Sequence, residues 1–210
     1  MSYLVNLALE GRTAVVVGAG RVARRKVEGL AQAGASVRVV APEACAEIQA
    51  QETAGQVAWV REHYRKAHLE GAVLVMAATS DEAVNAQVAQ DARELGILVN
   101  VVDRPSLCTF TVPATLRRGD LMLAAATSGR CPALASAVRE ELESEYGPEY
   151  AKVVSLLGSL REQMIAAGWE SFRIRQALMS LYRAGLPELI AAGDHEGIQK
   201  LVAAFTGLEP

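Results

Sequence analysis

Apolar residues fall into two kinds of run along the first half of the chain. Thr13–Val17, Ser36–Val40, Ala72–Ala77 and Ile97–Val102 are short, valine-rich and nearly continuous, bounded by Gly, Asp or Pro. Runs of that kind suit parallel strands buried on both faces. Val57–Val60 is a weaker fifth candidate. Between them the spacing becomes that of a helix, over Val22–Ala33, Ala44–Gln51 and Glu82–Leu95. The first helical stripe runs through Val22, Lys26 or Val27, Leu30 and Ala33 and stops at Gly34, a residue suited to closing a helix. Ser80 or Asp81 can cap the third, and Gly96 ends it. Alternating strand and helix predict right-handed βαβ units and a doubly wound parallel sheet, so the fold class is α/β.

After Asp103 the pattern changes. Phe110–Val112 and Leu121–Ala126 read as two strands around the polar stretch Arg117-Arg118-Gly119-Asp120. Pro132 opens a helix through Glu145, and Gly147-Pro148 breaks it. Four more helices are expected: Tyr150–Ala167, Ser171–Ala184, Pro187–Ala192 and His195–Ala204, punctuated by Gly168, Gly185 and Gly193. The predicted organisation is a nucleotide-type domain over 1–110, a small two-stranded segment over 111–147, and an all-helical C-terminal domain over 148–210. Two strands are too few for an independent sheet, so the middle segment is expected to join two copies of the chain in a homodimer.

Candidate chemistry starts at the turn after the first strand. Gly18-Ala19-Gly20-Arg21-Val22-Ala23 fits GxGxxA between a strand and a helix. Gly18 permits a tight turn, Gly20 lets a pyrophosphate approach the backbone, and Ala23 keeps the helix close to the sheet. This makes the doubly wound sheet Rossmann-type and predicts a bound dinucleotide. The ribose-binding acid expected at the end of the second strand is missing there, and the first carboxylate is Glu43, after Ala41 and Pro42. Glu43, or backbone groups of Ala41 and Pro42, would meet an NAD ribose; Arg38, within the strand, would instead suit the phosphate of NADP, or be simply solvated or paired. Asn100 and Asp103 end a buried strand, where open α/β sheets place ligands. A carboxylate there can act as a general base, or it can cap the loop before Pro105. The small-residue loop Ala126–Ala135, with Ser128, Gly129 and Arg130, precedes a helix and can hold a carboxylate or phosphate, or simply cap it. Arg104, Arg117, Arg118 and Arg130 lie near these loops and would suit a polyanionic substrate.

Bulk properties narrow the class. The 210 residues are 51% hydrophobic with a net charge of -3, which argues against a general nucleic-acid or membrane-surface binder. No apolar run approaches a membrane span, and Met1–Glu10 lacks the pattern of a signal peptide. Cys45, Cys108 and Cys131 are odd in number and widely spaced, so neither a disulfide framework nor a zinc site is expected. Reduced thiols point to the cytoplasm. His63, His68 and His195 have no ligand spacing. No Tyr-x-x-x-Lys pair offers the proton relay of an ordinary small-substrate dehydrogenase.

The blocks VVVGAGRVARRKVEGLAQAGASVRVVAP, AATSD, VNVVDRPSLCTFTVPATLRRGDLMLAAATSG and PALASAVREELE resemble the precorrin-2 dehydrogenase family, the N-terminal modules of sirohaem synthases. The likeness runs over about residues 3–145, more loosely into the tail, and includes no methyltransferase half. It implies NAD-dependent oxidation of precorrin-2 to sirohydrochlorin in a homodimer, in sirohaem or cobalamin synthesis. Some relatives also insert Fe²⁺ or Co²⁺ as a chelation substrate. By motif position it makes Asp103 the functional aspartate, Arg21 and Val22 the cofactor pair after the glycines, Pro42 and Glu43 the pair after the second strand, and Thr79 a further cofactor contact. Ser128, with Gly129 and Arg130, matches the tetrapyrrole loop. Ala19, Arg130 and Cys131 depart from the family's usual residues. A non-catalytic NAD-sensing domain is the alternative from another class.

Overall fold

The computed structural model describes residues 3–207, which form two compact units, 1–112 and 113–210 by chain position. In the first, five parallel strands lie in the order β3-β2-β1-β4-β5: β1 Thr13–Val17, β2 Ser36–Val40, β3 Val57–Val60, β4 Ala72–Ala77 and β5 Leu98–Val101. The register runs Val17 to Val40 across β1–β2 and Val17 to Ala77 across β1–β4. Helices α1 (Arg21–Gln32), α2 (Ala46–Thr53) and α3 (Glu82–Glu94) connect them. The weak fifth run is therefore a real strand, at one edge.

Alternate residues of each strand serve opposite faces. Ala14 and Val16 of β1 pack with Ala23, Val27 and Leu30 of α1 and Ile48 of α2. Val15 and Val17 pack with Val88, Ala89 and Ala92 of α3. Both faces are covered, which is why the runs are continuous rather than alternating. Because β2 and β4 flank β1, the chain leaves β1 in one direction and returns on its other side. The crevice that opens at such a reversal is where α/β sheets bind ligands.

The second unit begins with an antiparallel hairpin, β6 Ala114–Arg118 and β7 Leu121–Ala125, followed by α4 Pro132–Glu145. The strand expected at Phe110–Val112 is displaced to Ala114–Arg118, and the reason is local. The Thr109 N–H and hydroxyl bond to Val99 at 2.8 Å each, and Phe110 packs on the first unit's core, so this segment belongs to the sheet edge. The turn is only Gly119-Asp120, with Arg118 opposite Leu121 and Gly119 at φ +58°. That tight turn fixes the register. Leu116 is buried on the covered face, while Thr115, Arg117, Met122 and Ala124 form an exposed face.

Helices α5 (Tyr150–Ala166), α6 (Ser171–Arg183), α7 (Leu186–Ala192) and α8 (His195–Thr206) complete the unit. Leu160, Met164, Leu181, Leu186 and Val202 meet in their own core. No helix among the described residues is long and apolar enough to cross a membrane.

Candidate active site

Three backbone bonds tie the carboxyl-terminal strand ends together. Gly18 N–H donates to Val40 O at 2.9 Å, Ala78 N–H to Val17 O at 2.8 Å, and Val102 N–H to Ala77 O at 3.0 Å. Gly18 has φ +102°, and a Cβ there would lie 2.6 Å from Ala78 O. Only glycine lets the two turns close so tightly. A Cβ at Gly20, by contrast, would project into open space with no atom within 4 Å. Gly20 caps α1 with no side-chain bond, and the first turn of α1 carries no acidic residue. The first turn of a helix has N–H groups without intrahelical partners at the positive end of the dipole. An unblocked backbone surface beside them fits a dinucleotide pyrophosphate. Arg21 and Val22, which open the helix, are both exposed.

The loop after β2 lies alongside, because Cys45 N–H donates to Ala19 O at 3.0 Å. Ala41 is buried and internally bonded: its N–H donates to Val60 O and its carbonyl accepts the Trp59 indole at 2.9 Å. Pro42 and Glu43 are exposed. The Arg38 guanidinium donates to the carbonyls of His68 and Glu70, at 2.9 and 3.2 Å. Its charge is thus engaged with the 3₁₀ turn Lys66–Leu69.

Asp103 follows β5 in the turn Val101–Arg104, closed by Arg104 N–H to Val101 O at 3.4 Å. It has φ +58°, and it shares positive φ with only one other non-glycine among the described residues, Ser128 at +52°. Such backbone strain clusters at functional sites. The Cys108 thiol braces the Asp103 turn, accepting Val101 N–H at 3.2 Å and lying 3.3 Å from Val101 O and 3.4 Å from Arg104 O. Lys26 of α1 faces this corner. Burial and the neighbouring Arg25 push its ammonium below the ordinary lysine range, while the charges of Cys108 and Asp103 pull it back up. Asn100 is buried, and its amide donates to Phe110 O at 3.1 Å, a structural task that the sequence did not signal.

In the second unit, Ser128 and Gly129 (φ +77°) form a turn closed by Arg130 N–H to Thr127 O at 3.0 Å. The Thr127 hydroxyl accepts Cys131 N–H at 3.1 Å, just before α4. Arg130 and Arg117 are exposed, whereas Arg118 is held by Tyr146 O at 2.9 Å and by Glu143 at 3.6 Å. Arg104 pairs with Glu82 at 2.8 Å. The arginines grouped in the sequence are therefore not one free cluster. No group of three or more His, Cys, Asp or Glu among the described residues could hold a metal ion.

Thr79 sits in the turn after β4, and its polar groups are all engaged by Asn85 or Asp81. No motif in the sequence singles out Asn85. It lies on the buried stripe of α3 with Val88, Ala89 and Ala92, and a polar residue at that spacing was the available signal.

A family model described as "Putative NAD(P)-binding" matches residues 5–114. The siroheme synthase of Photorhabdus laumondii is 39% identical over 182 residues, 86% of this chain and 37% of that protein. Siroheme synthase 1 of Cronobacter sakazakii is 36% identical over 205 residues, 97% of this chain and 44% of that protein. The chain thus spans less than half the length of these curated relatives. Among solved structures, SirC, precorrin-2 dehydrogenase, matches with a TM-score of 0.75 at 30% identity, over 95% of this chain and 100% of that one. The chain belongs to the precorrin-2 dehydrogenase family, which it shares with the matching part of the siroheme synthases.

Proposed function

We propose that this chain is an NAD-dependent precorrin-2 dehydrogenase that forms sirohydrochlorin. The observation that carries the reading is the pairing, within one unit, of an open glycine-lined helix start with a carboxylate held at positive φ on the same end of the sheet. NAD, when bound, takes up the hydride that leaves the reduced tetrapyrrole. The first-turn N–H groups of Arg21 and Val22, with Gly18 and Gly20, hold the pyrophosphate, and Pro42 and Glu43 flank the adenosine ribose beside Ala41. Thr79 shapes the wall next to Gly18. The occupied guanidinium of Arg38 favours NAD over its phosphorylated form, since no uncommitted cation of β2 faces a ribose phosphate.

Asp103 accepts the proton that accompanies the oxidation, so precorrin-2 loses one hydride and one proton. Asn100 supports that end of β5 through Phe110. The turn of Ser128, Gly129 and Arg130 meets a carboxylate of the tetrapyrrole with its backbone and cation. The open face of the hairpin joins two copies in a cytoplasmic homodimer. If the chain also acts as a chelatase, Fe²⁺ or Co²⁺ enters as substrate and the two displaced pyrrole protons leave one at a time through Asp103 to water.

Anaerobic incubation with precorrin-2 and NAD tests the reading. Sirohydrochlorin absorbance and NADH should rise in equal amounts, and adding Fe²⁺ afterwards reports chelation separately. NAD binding with no change in precorrin-2 would make the chain a sensing module instead.

A further inference from the structure

The two turns at the reversal of the sheet are pressed together at a single peptide, the one joining Ala78 to Thr79. A Cβ on Gly18 would stand 2.6 Å from its carbonyl oxygen, 2.8 Å from its carbon and 3.0 Å from its nitrogen. This peptide therefore forms the wall against which the glycine turn rests, and a small rotation of it would move Gly18 and the start of α1. Its neighbours give it no strand partner on that side, because β4 ends at Ala77.

One side chain takes hold of it. Asn85 Oδ1 accepts Thr79 N–H at 3.2 Å and lies 2.9 Å from the Thr79 hydroxyl, while Asn85 Nδ2 donates to Thr79 O at 3.0 Å. The same hydroxyl accepts Asp81 N–H at 3.1 Å, and Asp81 in turn caps α3 by accepting from Ala83 and Val84. Asn85 is only 7% exposed and sits on the stripe of α3 that faces the sheet. A buried amide beside the apolar Val88, Ala89 and Ala92 is costly unless each polar atom finds a partner, so its bonds are specific and rigid. An alanine there would leave the Thr79 N–H and carbonyl to seek other partners.

We infer that Asn85 is a positioning residue of the dinucleotide site: it fixes the peptide after β4 against Gly18, and so sets the glycine turn in the shape that receives the pyrophosphate. It touches neither cofactor nor substrate. Thr79, whose polar groups Asn85 and Asp81 occupy, contributes a wall rather than a hydrogen bond. The inference rests on the dinucleotide reading and adds a residue that acts through another.

The test compares Asn85→Ala with Val88→Ala, a truncation on the same buried stripe that leaves the hydrogen bonds of Thr79 in place. Calorimetry with NAD should give a Kd about tenfold weaker for Asn85→Ala, the change that the loss of roughly one hydrogen bond's net energy produces. Turnover at saturating NAD should stay close to that of the parent. Hydrogen exchange of the ligand-free protein should show the Thr79 amide opening faster in Asn85→Ala than in Val88→Ala at matched overall stability. Should Asn85→Ala fail to fold, the isosteric Asn85→Asp takes its place. It keeps the acceptor but sets a second one against Thr79 O, and it should also weaken NAD binding. Equal NAD affinity in parent and Asn85 variants, or no difference at Thr79 between the two truncations, overturns the positioning role. A parent protein that binds neither NAD nor NADP overturns the dinucleotide reading itself, a distinct result seen before any variant is made.

Discussion

The parallel sheet of the first unit and the hairpin of the second solve the same burial problem with different completeness. In the sheet, consecutive residues Ala14, Val15, Val16 and Val17 are all at 0–1% exposure, because α1 and α2 cover one face and α3 the other. In the hairpin only one face is covered, and Leu116 is its sole buried large apolar residue. Met122 remains 37% exposed opposite Arg117. A sheet closed on both sides can spend its polar residues on turns and a site. The two-stranded ribbon packs one face on α4 and leaves the other open. The first unit is thus built as a binding scaffold, and the second leaves one face of its hairpin uncovered among the described residues.

The largest expected effect lies in the first unit. Asp103→Asn keeps a residue that tolerates positive φ, so the turn and the fold should survive. Removing the carboxylate should lower precorrin-2 turnover by about 10²–10⁴-fold, the usual cost of losing a positioned general base. Single-turnover assays beside NAD calorimetry would check this: rate lost, affinity kept. Undiminished oxidation by Asp103→Asn would reduce Asp103 to a turn residue, and the strain at +58° would need another explanation.

Gly20→Val comes next. The added Cβ meets no protein atom within 4 Å, so the protein should still fold at the cost of a poorer N-cap, about 1 kcal/mol, yet the side chain would fill the space above the α1 start. NAD affinity should fall by more than about tenfold, or 1.4 kcal/mol. Gly18→Val makes the contrast, since its Cβ collides with Ala78 and should unfold the first unit rather than merely empty its site. If Gly20→Val binds NAD normally, the pyrophosphate does not lie there.

The legibility of the two units follows the same contrast. All four strong strands were readable because burial on both faces leaves an unbroken apolar run, and the GxGxxA turn sat where strand and helix neighbours give it meaning. The hairpin strand was misplaced because Phe110 looks like strand but is recruited by Val99 and the sheet edge, a tertiary choice no local pattern encodes. Within the site, Gly18, Gly20 and Asp103 could be proposed from position. The internal bonds of Asn100 and Ala41 could not, because they depend on which backbone groups the fold leaves unpaired. Arg38 in particular reads either as a phosphate ligand or as a solvated or paired cation until its carbonyl partners, thirty and more residues away, are brought to it.

The open hairpin face supplies the third prediction. Met122→Glu places a charge on that open face, opposite Arg117 in the β6–β7 pairing. Light scattering at micromolar concentration should show the parent as a dimer and the variant as a monomer, with NAD affinity retained by the first unit. A variant that stays dimeric would move the interface elsewhere and weaken the contrast drawn between sheet and hairpin.

The smallest effects compare one tyrosine bond in each unit. Tyr64 donates to Asp91 Oδ2 at 2.9 Å, and Asp91, 4% exposed, takes its other bond from Gln87 at 2.9 Å. Burial first, then the bond and charge of Asp91, push the Tyr64 hydroxyl well above the ordinary tyrosine range. In the second unit Tyr150 and Tyr182 share a longer bond of 3.3 Å, and both are half-buried. Tyr64→Phe leaves a buried carboxylate oxygen unpaired and should cost about 1–3 kcal/mol, whereas Tyr182→Phe should cost less than about 1 kcal/mol because water can replace the lost partner. The alkaline limb carries the same sign. A tyrosine whose folded pKa is raised stabilises fully below the unfolded value of about 10 and loses that contribution as pH climbs beyond it. Parent stability in urea should therefore fall above about pH 10, and Tyr64→Phe should flatten that fall while lowering the plateau below it. Equal costs for the two substitutions would mean that the helical unit ties its polar interior as tightly as the sheet does.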